Sequence, residues 1–303
     1  MYRFVFLLAF GALFAQTAFA QTSDKPEEYE IGLSLINIGE IDKKIGTYEL
    51  DFWYSIQSDK VNLLENPPPE VDFINGRIDD TYSEFKHPQI IEKRLVGKFS
   101  SEMNFRDFPF EKIPLQIRIE PLPQWTVNDV VFKANPSSGL DKSATVPGWI
   151  VTESNFYIET NQYNEDSVYS QFVAEYVIQR DPLGSFLKTI FPILIVLGIS
   201  FVAYMIPKNY DIVAELSLLP LLALVFLHIS TLEQLPPLGY LTVFDKLMII
   251  SYVLITNNVV ATGRQIRADE FAGKDRAWHL NIFHLKISPV IIGVLVAVLF
   301  FVI

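Results

Sequence analysis

The pattern of hydrophobic and polar positions changes character near residue 182. Beyond it lie four long apolar segments, at about 185–206, 212–232, 241–262 and 281–303. Each is near the roughly 20 residues that a helix needs to cross a bilayer. Pro207-Lys208-Asn209-Tyr210 separates the first two as a tight hairpin, and Pro236 and Pro237 break the chain between the second and third. A polar link, 263–280, joins the third to the fourth. Before residue 182 the pattern is of short, partly alternating runs: 49–55 (ELDFWYS), 115–119 (LQIRI) and 170–178 (SQFVAEYVI). Turn clusters at 66–69, 135–139 and 161–166 separate such runs, which predicts a β-sandwich. The expected division is 1–20, 21–180 and 181–303: a signal peptide, an exported β-sandwich and a four-helix transmembrane domain. The last strand passes into the first helix at Arg180-Asp181-Pro182 with almost no linker, so motion of the sandwich would be felt directly by the helices.

The second apolar segment carries a further pattern. Asp211, Glu215, Leu219, Leu222, Phe226, Ile229 and Glu233 recur every three or four residues, which places them on one stripe of a helix. A carboxylate at the centre of an apolar span costs roughly 2.5–3.5 kcal/mol on insertion scales unless it faces water. A water-filled pore ringed by copies of this helix supplies that water. The stripe then divides into a selectivity filter (Asp211, Glu215), a hydrophobic gate (Leu219, Leu222, Phe226, Ile229) and an outer mouth (Glu233). Packing against neighbouring helices is the competing use of an apolar stripe, and Asp211 also suits a helix N-cap. Pro220 and His228 fall off the stripe; one suits a bend, the other a buried, satisfied histidine or a pH sensor.

Charge and composition narrow the function. The formal net charge of −11 argues against a nucleic-acid partner and favours cations. There is no cysteine, which excludes disulfides and thiolate chemistry. No Gly-rich phosphate loop, His-Glu metal motif or nucleophile constellation is present, and the four histidines are scattered, so an enzyme is not expected. At the N-terminus Arg3 precedes an apolar run, Phe4 to Phe14, followed by Ala18-Phe19-Ala20, the pattern of a secretory signal cleaved before Gln21. Lys208 and the cations of the polar link (Arg264, Arg267, Lys274, Arg276) assign the opposite side to the cytoplasm. The expected location is therefore the cell (inner) membrane, multi-pass, with the N-terminal domain in the periplasm or exterior.

Residues 101–111, Ser-Glu-Met-Asn-Phe-Arg-Asp-Phe-Pro-Phe-Glu, resemble the signature loop of the pentameric ligand-gated ion channels, the Cys-loop receptor superfamily. The resemblance extends to Arg180 before the first helix, Pro192 within it, the acid-capped second helix, and Leu235-Pro236-Pro237 leading to Tyr240-Leu241-Thr242. Ser101 and Leu115 stand where animal members carry the bracketing cysteines, and the short link before the fourth helix also looks prokaryotic. The resemblance implies a homopentamer with five second helices around a central pore; the Asp211 and Glu215 carboxylates predict that it selects cations, so membrane lipid and permeant cations are the other expected partners.

It also implies a coupling cluster at the membrane surface from Arg180, Glu111, Asp42, Phe108 and Pro109, with Arg180 and Glu111 as the surer pair and Lys43 at or near the position of Asp42. Family ligand sites lie between subunits and are walled by aromatics. Tyr48, Trp125, Tyr157, Tyr163 and Tyr169 are the candidates here. The 58–69 segment is short, and the aromatic usual before Val71-Asp72-Phe73-Ile74 is missing. The agonist class therefore stays open between an amine, a proton and a divalent cation. No cofactor is expected beyond Ca²⁺ modulation, for which Glu27, Glu28, Asp79, Asp80 and Glu84 are the acid-rich positions. A non-conducting, membrane-tethered sensor of the same architecture is the alternative.

Overall fold

The computed structural model describes residues 25–146, 148–206 and 210–301. The expected signal peptide and the 207–209 hairpin lie outside the described residues, as does the side chain of Asp211. The described chain forms an N-terminal two-sheet β-domain followed by four helices long and apolar enough to cross a membrane.

One sheet has the order β4 (Gly76–Lys86), β5 (Ile90–Ser100), β2 (Thr47–Gln57), β1 (Glu27–Asp42), β7 (Val130–Ala134), with β8 (Gly139–Thr145) also pairing with β1. The other has the order β3 (Val71–Phe73), β6 (Lys112–Pro121), β10 (Ser167–Gln179), β9 (Ile150–Asn164). β2 alternates without a break: Tyr48, Leu50, Phe52, Tyr54 and Ile56 are buried, and the residues between them are more exposed. Ile113, Leu115, Ile117 and Ile119 do the same for β6. The two apolar faces meet as a core of interlocked rings, including Phe52 with Phe99 and Phe73 with Phe99. Tyr48 bridges the sheets. Its hydroxyl donates to the Gln116 carbonyl at 2.7 Å and accepts from the Gln116 amide at 2.8 Å.

The expected turn at 161–166 is narrower than its sequence suggests. Asn161 to Asn164 continue β9: Asn161, Gln162 and Asn164 pair with β10, and a bulge leaves Tyr163 between them. β9 is mostly exposed, so it carries no apolar alternation; its order comes from the backbone ladder to a buried neighbour.

The helices span Pro182–Met205, Tyr210–Leu232, Val243–Ala272 and Lys274–Phe301. The first contains a π-helical stretch, Phe186–Ile190, just ahead of Pro192. Proline has no N–H to donate and crowds the carbonyl four residues back, and the wider register absorbs both effects. The third and fourth helices correct the expected polar link at 263–280: that segment is helical except at Gly273, whose φ of +88° makes the break. Polar residues outside a bilayer hold a helix as well as apolar ones do, so the apolar boundary marks the membrane edge and not the helix end.

The third helix begins under the β-domain. Thr242 caps it in a reciprocal pair with Asp245. The Val243 and Phe244 amides, which have no partner within their own helix, donate to the carbonyls of Arg106 at 2.9 Å and Phe108 at 3.1 Å. The 101–111 loop thus satisfies the start of the third helix, and the Phe108 ring meets the Phe244 ring edge-on.

Candidate functional site

Three places gather the predicted residues. On the second helix, Leu219, Leu222, Phe226 and Ile229 are more than half exposed, and Glu215 and Glu233 are exposed with them. The opposite face is turned inwards: Val213, Ser217, Pro220 and Leu224 are buried. Ser217 packs on this inner side, with its hydroxyl 3.0 Å from that of Thr262 on the third helix. The stripe from Glu215 to Ile229 rises about 21 Å along the axis, and no described residue covers it. His228 points into the bundle. Its Nδ1 lies 3.1 Å from the Tyr252 hydroxyl and its Nε2 lies 3.6 Å from Asp245.

The second place is the junction between β-domain and helices. The expected Arg180–Glu111 pair is absent among the described contacts. Glu111 pairs instead with Lys43, both of them buried. The Lys43 ammonium also lies over three ring faces, those of Phe105, Phe108 and Trp149, at 5.6, 5.7 and 5.1 Å. Burial lowers the Lys43 pKa from its ordinary value, and Glu111 works in the opposite direction. Arg180 lies over the Trp149 ring at 5.0 Å. Asp42 accepts the backbone amides of Lys44 and Ile45 within its own turn. The correction has a steric reason. Trp149, from the β8–β9 connection, gives Arg180 an aromatic face, while Lys43 comes from the neighbouring β1–β2 turn and fills the space against Glu111. A cavity of about 450 Å³ opens beside this cluster, lined by Phe108, Pro109, Trp149, Arg180, Lys188 and Gln234 among others. It touches the loop, the first helix and the end of the second helix at once.

The third place is a pocket of about 230 Å³ high on the β-domain. Of the five aromatic candidates it gathers two, Tyr163 and Tyr169, with ring centroids 5.9 Å apart. Tyr48 is corrected outright: it is 1% exposed and belongs to the core. Trp125 and Tyr157 do not line the pocket. The pocket adds two acids that the sequence reading passed over, Asp72 and Glu120. Glu120 is 3% exposed and accepts from Asn161 at 2.8 Å, from Tyr163 at 3.2 Å and from Gln171. Burial, and then the Glu120 charge, raises the Tyr163 phenol pKa. The visible signal for Glu120 is its place: a lone charge between Ile119 and Pro121 at the buried end of β6.

The acid-rich positions offered for Ca²⁺ are largely taken. Glu28 pairs with Lys60 and Lys133, Asp79 with Arg77, and Glu84 with Lys86 and Lys93. Glu27 accepts the Tyr29 hydroxyl at 2.6 Å. Among the described residues no group of three or more histidine or acidic side chains is placed to hold a metal ion. No known protein-family model matches the chain.

Proposed function

We propose that this chain is the subunit of a cation-selective, ligand-gated channel of the pentameric class, assembled as a homopentamer with its β-domain exported. The observation that carries this reading is the second helix. It leaves a continuous face exposed, four bulky apolar residues long, with Glu215 at one end and Glu233 at the other. Lipid would accommodate the apolar residues but not Glu215. Five such faces around an axis give every one of these residues a use: carboxylates attract cations, and rings of leucine, phenylalanine and isoleucine stop them by emptying the tube of water. Within this reading the pocket of Tyr163, Tyr169, Asp72 and Glu120 receives a small positively charged agonist, held by ring faces and carboxylates. The Lys43–Glu111 cluster and the loop carbonyls on the third helix carry its effect to the helices.

The test is a reversal-potential measurement in asymmetric salt on the parent, Glu215→Gln and the Glu215→Gln/Asp211→Asn pair. The expected result is cation selectivity in the parent and its loss in the pair. Unchanged selectivity in the pair overturns the assignment of the filter. Absence of unitary currents from the purified parent in planar bilayers, across pH, Ca²⁺ and a small amine panel, replaces the channel with a non-conducting sensor.

A further inference from the structure

The bundle end farthest from the β-domain is held together by polar side chains. The fourth helix is inverted there. Asn281, His284 and Ser288 are buried against the other helices, while Trp278, Phe283 and Leu285 are exposed. Asn281 donates to the Tyr204 carbonyl of the first helix at 2.8 Å and accepts from Gln265 of the third helix at 2.9 Å. Asn257, also of the third helix, donates to the Tyr204 hydroxyl at 3.2 Å and to Ser288 at 3.3 Å. Such bonds are what hold helices together where apolar burial gives no drive to associate.

The network fixes the protonation state of His284. The Ser288 hydroxyl gives its hydrogen to the His284 carbonyl, so it meets the Asn257 NH₂ as an acceptor. That orients the Asn257 amide with its oxygen towards His284 Nδ1, 2.9 Å away, and Nδ1 must donate. The other ring nitrogen, Nε2, lies 3.4 Å from Nη1 of Arg264, and a guanidinium can only donate. The ring therefore fits as the neutral Nδ1–H tautomer, with its lone pair towards Arg264. A second proton on Nε2 would set donor against donor and cation against cation. Arg264 is the charged group acting on the ring from the third helix. Tyr204 approaches from the first helix through Asn257, and Lys286, two residues along, is exposed. Arg264 is itself exposed.

We infer that His284 is a proton-operated latch on the fourth helix: neutral, it ties that helix to the first and third; protonated, it repels Arg264 and frees the helix's inner end. The inference stands whether or not the protein conducts.

Hydrogen exchange of the purified full chain at pH 8 and pH 5, corrected for intrinsic rates, tests it. Exchange in 274–288 is expected to be at least about tenfold faster at pH 5 in the parent. It should be independent of pH in His284→Gln and respond as the parent does in His279→Gln, a control at an exposed histidine of the same helix. Equal exchange at the two pH values in the parent, or a parental response in His284→Gln, overturns the latch. If His284→Gln does not fold, Arg264→Gln decides. Removing the facing cation should shrink the response, and an undiminished response overturns the proposal.

Discussion

Replacing Lys43 tests the junction most directly. In Lys43→Ala the Glu111 carboxylate, whose side chain is 1% exposed, loses its countercharge and hydrogen-bond donor. One Glu111 oxygen already has no hydrogen-bond partner, so truncation leaves the whole charge uncompensated. Breaking a buried pair in this way costs about 3–5 kcal/mol. For a domain of this size that lowers its Tm by roughly 6–20 °C. Glu111→Gln should cost less, because the ammonium keeps three ring faces, each contributing about 0.5–2 kcal/mol. The double variant Lys43→Met/Glu111→Leu should recover most of the loss, since two buried charges and their desolvation leave together. The assay is thermal unfolding of the full chain, followed by a near-ultraviolet signal from the β-domain, arranged as a double-mutant cycle. Strictly additive single effects, or a Lys43→Ala shift below about 2 °C, would refute the pairing. The charge swap of Arg180 and Glu111 should restore nothing, because Arg180 rests on Trp149.

In recordings, Leu222→Ser should raise the current without agonist, because a polar ring holds water within the proposed gate; a silent variant would place the gate elsewhere. Glu120→Gln should weaken a cationic agonist's apparent affinity at least about tenfold, the equivalent of 1.4 kcal/mol, and an unchanged dose–response curve would remove Glu120 from the site. Lys60 and Lys133 hold the Glu28 carboxylate below its ordinary value of 4.5. The contribution of those exposed pairs is thus complete above that value and lost as pH falls through the lowered one, so Glu28→Gln should flatten that part of the acid limb of a Tm-against-pH curve, and 1 M salt should do the same.

The four long helices were legible because crossing a bilayer is a property of some 20 consecutive residues, written locally. The same holds for the stripe from Glu215 to Ile229, since helical spacing alone puts those residues on one face. Runs within β2, β6 and β10 could be read because each buries one or both faces against the sandwich core. β4 and β9 could not, because their residues are mostly exposed and only hydrogen bonding to a neighbour makes them strands. The helical character of 263–272 was hidden for the opposite reason: its polarity marks where lipid ends, and a helix does not end there.

Side-chain partners were decided in three dimensions. Arg180, Glu111 and Lys43 are far apart in the chain, and which cation reaches Glu111 depends on Trp149 arriving from the β8–β9 connection. Tyr48 and Tyr163 look alike in sequence; one fills the core and the other walls a pocket, because their strands face different surroundings. Asn281, His284 and Ser288 follow an ordinary helical spacing, but only the packed bundle shows that this polar face turns inwards. Sequence determined what is periodic and local: the strands of the core, the membrane helices and the stripe. Tertiary structure decided the contacts between charges on different elements, because such an ion pair or hydrogen bond depends on distances of a few ångströms that the order of residues does not set.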